Sequence, residues 1–394
     1  MKIPKVIRQN EGVRVVVRTA AELVDEGKDD KGKYVGGKWG GLYLRAPDVY
    51  FRILEKAGDK LVRLEDVAEV RYGIKTGANE FFYLKPLDLT VKEVAELREK
   101  DPTAPVRMRN GADWEGEIEA AWLHPLVKSF KEIKTLKVRL EDLHFLAFIP
   151  PNGVRNANSG HSGASYDGYP NAREYIAWGE AKGYSARPTC SSRNPWWDVG
   201  ERQSAPILVS GKVGDRYLVA LNDGGILEDK VMYGVFPRHV NVELLVALLN
   251  SQLTRLHMEL SSRQLTGAQA IADVDVNVWQ QVFLPNPSLA TLSREHLKTH
   301  LHKLLKKQIP PYFLELGFEL CKVRRCKHPE HPLENIEPER LSLHQIESAT
   351  PNRLGLDIAV LHALGLGKAE VLEVYQAVVR LVKDRLTKAN TTTN

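Results

Sequence analysis

Cysteine is scarce, with three residues in a chain of 394. That density excludes a disulfide framework, and a reducing compartment, the cytoplasm, is expected. Long hydrophobic runs are missing too. None approaches the roughly 20 apolar residues that a membrane helix needs, so no membrane partner is expected. The opening Met1-Lys2-Ile3-Pro4-Lys5 carries charge but not the apolar stretch of a secretion signal. Charge of one sign is also in short supply, with 55 Lys and Arg against 50 Asp and Glu. The net +5 permits nucleic-acid binding without establishing it. What remains is an ordinary globular composition, 43% hydrophobic and 27% charged, long enough for one large core or two to three smaller ones.

Against this plain background one stretch stands out, Glu69-Val70-Arg71-Tyr72-Gly73-Ile74-Lys75-Thr76-Gly77-Ala78-Asn79-Glu80-Phe81-Phe82-Tyr83. A β-branched and aromatic run, Val67 to Tyr72, leads into a loop, and a second apolar run, Phe81 to Leu84, leaves it. Gly73 and Gly77 allow positive φ and close approach of backbone to a ligand. Between and after them stand a point charge (Lys75), a hydroxyl (Thr76) and an amide (Asn79). On a strand-loop-strand frame these can grip a phosphate or read a base edge. The plainer reading is a hairpin whose polar residues are there because loops are solvated.

The pattern V-x-Y-G-I-x-T-G-x-N-x-F-F resembles the signature that opens the C-terminal target-recognition domain of TaqI-like and Eco57-type adenine-specific DNA methyltransferases. The BREX and Pgl phage-defence methyltransferases carry the same kind of domain. Three further stretches match in order. Trp39-Gly40-Gly41-Leu42-Tyr43-Leu44-Arg45-Ala46-Pro47 resembles the segment before the loop. Arg193-Asn194-Pro195-Trp196-Trp197 with Ala205-Pro206-Ile207-Leu208 resembles the middle. Leu244 to Ser251, with Ile271 and Phe283-Leu284-Pro285, resembles the close. The resemblance covers about residues 34 to 290, and more loosely the helical tail.

Such a methyltransferase also carries a glycine-rich AdoMet loop and an [Asn/Asp]-Pro-Pro-[Tyr/Phe] motif. The motif's first side chain accepts from the adenine amino group, and its aromatic stacks on the flipped base. The nearest match here, Ile309-Pro310-Pro311-Tyr312, begins with a residue that has no acceptor and reads as a helix stop. Ile149-Pro150-Pro151-Asn152 fails in the same way and lacks the aromatic. No AdoMet loop is found, and residues 1 to 33 are too few for a catalytic domain. The sequence identifies no catalytic residue. No cofactor is therefore expected on this chain, and AdoMet is expected on a separate catalytic methyltransferase subunit. The alternative is the C-terminal part of a split or truncated enzyme.

Along the chain, residues 1 to 60 read as an N-terminal strand, Val13 to Arg18, and a connector helix, Asp48 to Ala57. Pro47 opens that helix and Gly58 ends it. Residues 61 to 290 read as the recognition domain, with strands at Ile207 to Ser210, Arg216 to Leu221 and Met232 to Phe236. Turns are expected at Lys212-Val213-Gly214-Asp215 and Asn222-Asp223-Gly224-Gly225. A single helix from Val242 to Leu260 follows, its leucines spaced by three and four. Residues 291 to 388 read as a helical domain, and 389 to 394 as a frayed tail. The fold class expected is α+β, a mixed sheet-and-helix recognition domain followed by a mainly helical one.

Other segments offer contacts. The stretch from about Asn152 to Arg202 interleaves arginines with aromatics, as a DNA surface needs. Within it Trp196 reads as core, and Arg187 and Arg193 as contacts. Its length argues that part of it is ordered. Ser261 to Gln269, with Arg263 and Gln264, is suited to reading guanine and adenine edges, or is simply a solvated turn. Cys321, Cys326, His328 and His331 lie within eleven residues, zinc-type ligands without a standard finger spacing. They form either a zinc site, which would suit a zinc-dependent nuclease or hydrolase, or part of a basic loop touching phosphates. The apolar segments around Val360 to Leu364 and Val371 to Leu386 read as a helical hairpin packed on the body, or as a docking face for the catalytic subunit. Double-stranded DNA is the expected partner, with Lys75, Thr76, Asn79, Arg187, Arg193, Arg263 and Gln264 as contacts.

Overall fold

The β-branched and aromatic run before the glycine loop forms a strand, Ala68–Tyr72, as side chains that suit a pleated, half-buried surface should. A computed structural model describes residues 5–9, 14–28, 32–34, 36, 40–154, 168–265, 270–318, 333 and 336–391. The fold is α+β and forms two compact units. One comprises Met1–Glu69, Gly211–Val219 and Pro237–Asn394, the other Val70–Ser210 and Ala220–Phe236. Among the described residues no helix is long and apolar enough to cross a membrane.

The unit that holds the glycine loop has two sheets. In the first, strands run in the order Ala220–Leu221, Ile207–Ser210, Met232–Pro237, Ala68–Tyr72. Ile207–Ser210 pairs antiparallel with both neighbours and is buried along its whole length. Of the strand expected over Arg216 to Leu221, only Ala220–Leu221 pairs as one. The second sheet runs Leu227–Glu228, Leu123–Val127, Phe145–Phe148, Tyr83–Pro86, Pro105–Arg109, Glu115–Glu119. Its first pair is parallel and the others are antiparallel.

The long aromatic segment is partly helical: Pro170–Ala181 and Pro188–Ser191 both begin on a proline, which fits the first turn because no N–H is needed there. The first of these helices brings aromatics onto the loop's exit. Phe81 stacks on Tyr175 at 4.5 Å between ring centres, and Tyr175 stacks on Trp178 at 5.6 Å. Trp196 meets Phe81 at 5.0 Å and is buried, the core position that the sequence suggests. Trp122, Phe148 and Trp197 extend this buried cluster.

In the other unit, Asp48–Ala57 is helical with the bounds expected, between Pro47 and Gly58. The leucine-rich helix is interrupted, giving Val242–Leu249 and Gln252–Ser261. The cause is polar. The Asn250 side-chain amide donates to the carbonyls of Val219 and Val246, and its oxygen accepts from Val219 N–H. Ser251 then caps the second helix by accepting from Thr254 N–H. Lys212–Val213, read as a turn, is a short strand paired with Ala272–Asp273. Pro311 does not stop a helix. Arg294–Leu304 has already ended, and Pro311 instead opens the short helix Tyr312–Glu315.

The C-terminal segments Pro351–Ala363 and Lys368–Thr391 are helices of this unit. Val371, Val374, Tyr375, Val378, Val379 and Val382 are all buried. Charges are buried with them. Arg385 makes two hydrogen bonds to Glu259, at 2.9 and 2.8 Å. Arg353 reaches Glu315 at 2.9 Å and Asn250 O at 2.8 Å. Asp357 accepts from Gln252 N–H at 2.6 Å and from the Tyr375 hydroxyl.

Candidate nucleic-acid interface

The strand entering the glycine loop does not simply end in solvent. Gly73 N–H donates to Met232 O at 3.1 Å and Ile74 N–H to Glu228 O at 2.7 Å, while Lys230 N–H returns to Ile74 O at 3.1 Å. Gly73 lies so close to this neighbour that a Cβ would sit 2.4 Å from the Asp229 carbonyl oxygen. At Gly77 φ is +82°, the left-handed region that disfavours side chains, and a Cβ there would meet Thr189 at 2.5 Å. The exit differs from the expected strand: Asn79–Phe82 makes one helical turn before the strand Tyr83–Pro86.

Thr76 faces inward and is 1% exposed. Its hydroxyl donates to Asn79 Oδ1 and accepts from Ala78 N–H. Asn79 Nδ2 donates in turn to Asp229 Oδ2 at 3.3 Å, where the Tyr83 hydroxyl also donates at 2.7 Å. Val231 N–H supplies the other carboxylate oxygen of Asp229 at 3.0 Å. Burial, then the charge of Asp229, pushes the Tyr83 phenol far above its ordinary range, so it stays a proton donor. Thr76 and Asn79 thus shape the loop through a buried carboxylate that the sequence reading did not single out. Its signal was slight, two consecutive acids, Glu228-Asp229, between apolar runs.

Arg193 fixes the loop from its other side. Its guanidinium donates to the carbonyls of Lys75, at 2.9 Å, and Thr76. The Cys190 thiol, pushed up by burial and so kept protonated, points at Thr76 O at 3.7 Å. Arg187 pairs with Glu80 at 2.5 Å and lies over the Tyr184 ring, with its side chain 41% exposed. Lys75 is exposed, and no described residue offers its ammonium a hydrogen bond or ion pair. Lys75, Thr76, Asn79, Arg187 and Arg193 therefore share one unit and one neighbourhood. Arg263 and Gln264 belong to the other unit, on a short strand paired with Ala272–Asp273, where Arg263 is exposed and Gln264 half-buried.

Beside the loop opens a cleft of about 100 Å³ lined by Arg71, Tyr72, Arg202, Gln203, Glu228 and Phe236, among others. Tyr72 is exposed and meets Tyr233 edge-on at 5.1 Å. Glu228 is buried, and burial pushes its carboxyl up to about 8, opposed by its own backbone N–H and by the charge of Arg202. Cys321, Cys326, His328 and His331 lie outside the described residues. Among the described residues no group of three or more His, Cys, Asp or Glu is placed to hold a metal ion.

Residues 159–274 match the family model of the C-terminal domain of the type II methyltransferase M.Eco57I. The matched segment, that of a methyltransferase-related domain, contains Arg187, Arg193, Glu228, Asp229, Arg263 and Gln264, whereas the glycine loop precedes it. Solved structures similar to this chain include the type IIG restriction endonuclease BpuSI, with a TM-score of 0.48, 11% identity and 90% of this chain covered. They also include the type IIL restriction-modification enzyme MmeI in complex with DNA, with a TM-score of 0.42, 12% identity and 96% covered. This chain spans 34% and 42% of those two chains. No curated protein matches it at a significant level.

Proposed function

We propose that this chain reads double-stranded DNA at a specific sequence. It would serve a cytoplasmic AdoMet-dependent N6-adenine DNA methyltransferase whose catalytic subunit is a separate polypeptide, in restriction-modification or phage defence. The observation that carries the reading is the exposed Lys75 ammonium, which pairs with no described residue, on a loop whose main chain is held by Arg193 and by the turn at Glu228 to Lys230. A cation displayed on a fixed frame suits a phosphate contact that positions the protein on a duplex. The family match over 159–274 supports the methyltransferase setting. Arg187, Arg263 and Gln264 are the further contacts proposed, and Thr76, Asn79 and Arg193 hold the loop in shape. Because the matched domain is a C-terminal one, a second reading is the C-terminal part of a split or truncated methyltransferase.

The test is selection from a randomised duplex pool at two salt concentrations, with sequencing of the bound fraction. Enrichment of a short motif, with affinity falling as salt rises, is expected. Failure to enrich any motif, alone and with a co-encoded methyltransferase added, would overturn the reading.

A further inference from the structure

The cleft beside the glycine loop combines features that no phosphate contact needs. Glu228 lines it, is 6% exposed, and its carboxyl bonds no other side chain among the described residues. It accepts from its own backbone N–H, and a carboxyl has capacity for further hydrogen bonds. Its oxygen lies where a Cβ on Gly234 would come within 2.8 Å, so the strand behind it is tailored to leave that carboxyl room. The walls are aromatic and polar together. Tyr72 is 62% exposed, an unusual amount for a large aromatic beside a recess. Arg71 packs its guanidinium over the Phe236 ring at 4.4 Å. Arg202 donates to Val199 O at 2.8 Å and leaves its charge near Glu228. The ionisable residues on the lining are Arg71, Arg202, Glu201 and Glu228.

We propose that this cleft takes a single unstacked nucleobase of the bound DNA, with Glu228 reading the base edge and Tyr72 covering its face. The inference rests on the DNA-reading function proposed above. A volume of about 100 Å³ is several times what one water needs, and suits one planar ring. A neutral carboxyl presents an O–H donor beside a C=O acceptor, the pattern that hydrogen-bonds the Watson–Crick edge of an extruded base. Burial holds Glu228 in that neutral form at pH 7. Stacking of a base on an exposed aromatic is favourable whatever the sequence, so Tyr72 would hold the base and Glu228 would discriminate.

The experiment uses the full chain and its enriched duplex, with 2-aminopurine placed at each position in turn. One position should brighten several-fold on binding, and a mismatch at that position should tighten binding on the order of tenfold, because unstacking is then easier. Tyr72→Ala, at an exposed site that folding tolerates, should abolish the brightening. Glu228→Ala should erase the base preference there, whereas Glu228→Gln, which also pairs a donor with an acceptor, should keep most of it. Motif-specific binding without brightening at any position would overturn the inference and leave the DNA-reading function standing. Brightening and base preference unchanged in Glu228→Ala would overturn the role of Glu228. Absence of any motif enrichment would overturn both.

Discussion

Asp229→Ala is the substitution that most directly tests how the glycine loop is held. The carboxylate of Asp229 accepts from the Tyr83 hydroxyl, the Asn79 amide and Val231 N–H. Val231 is exposed, so water replaces that last partner. Tyr83 is buried, and its only other acceptor among the described residues, Ile74 O, lies at a long 3.4 Å. A buried donor left without an acceptor costs about 1–3 kcal/mol, and the half-buried Asn79 amide adds less, so a loss of roughly 2–4 kcal/mol is expected. Tyr83→Phe removes the orphan, so the double variant should be more stable than the sum of the two single losses by about 1–2 kcal/mol. Urea unfolding reports this, followed by the fluorescence of Trp122, Trp196 and Trp197, which are buried in the same unit. The same variant, kept where it is folded, should bind every duplex more weakly, because Lys75 is no longer displayed on a fixed loop. If Asp229→Ala costs under about 0.5 kcal/mol, or the two losses simply add, the carboxylate is not what holds the loop.

Lys75→Ala should weaken binding to all sequences about equally and reduce the slope of log affinity against log salt by about 1, measured by titration at several salt concentrations. Arg385→Leu leaves Glu259, whose side chain is 2% exposed, buried without its partner. A loss of about 3–5 kcal/mol is expected on denaturant unfolding, much of it recovered in Arg385→Leu/Glu259→Leu. Burial raises the Asp357 carboxyl to about 7. Its neutral form therefore favours the fold fully below the unfolded value near 4, and that contribution is lost as pH rises through 7. Asp357→Asn should flatten the dependence of melting temperature on pH across that window.

Local patterns were legible where local physics decides. Pro47 and Gly58 bracket the helix Asp48–Ala57, and β-branched and aromatic residues together mark the strands at Ala68–Tyr72 and Met232–Pro237. The break at Asn250 was not legible, because Val219, 31 residues back, and Arg353, 103 residues on, take part in it. The loop divides in the same way. Its glycines, Lys75 and the possibility of a phosphate grip could be read from spacing. That Thr76 and Asn79 turn inward depends on Asp229, 150 residues away from Asn79 in sequence. Arg187 and Arg193 stood out by residue type, but their partners, Glu80 and the carbonyls of Lys75 and Thr76, belong to a distant segment.

The grip of Arg193 on two carbonyl oxygens has an evolutionary side. A holder that binds main chain is indifferent to which side chain sprouts from the residue it holds. Position 75 can therefore change from lysine to another residue without altering the path of the loop. Thr76 is different, since its own hydroxyl is part of the frame. The group displayed at position 75 can thus vary one substitution at a time, while the scaffold that presents it is inherited intact.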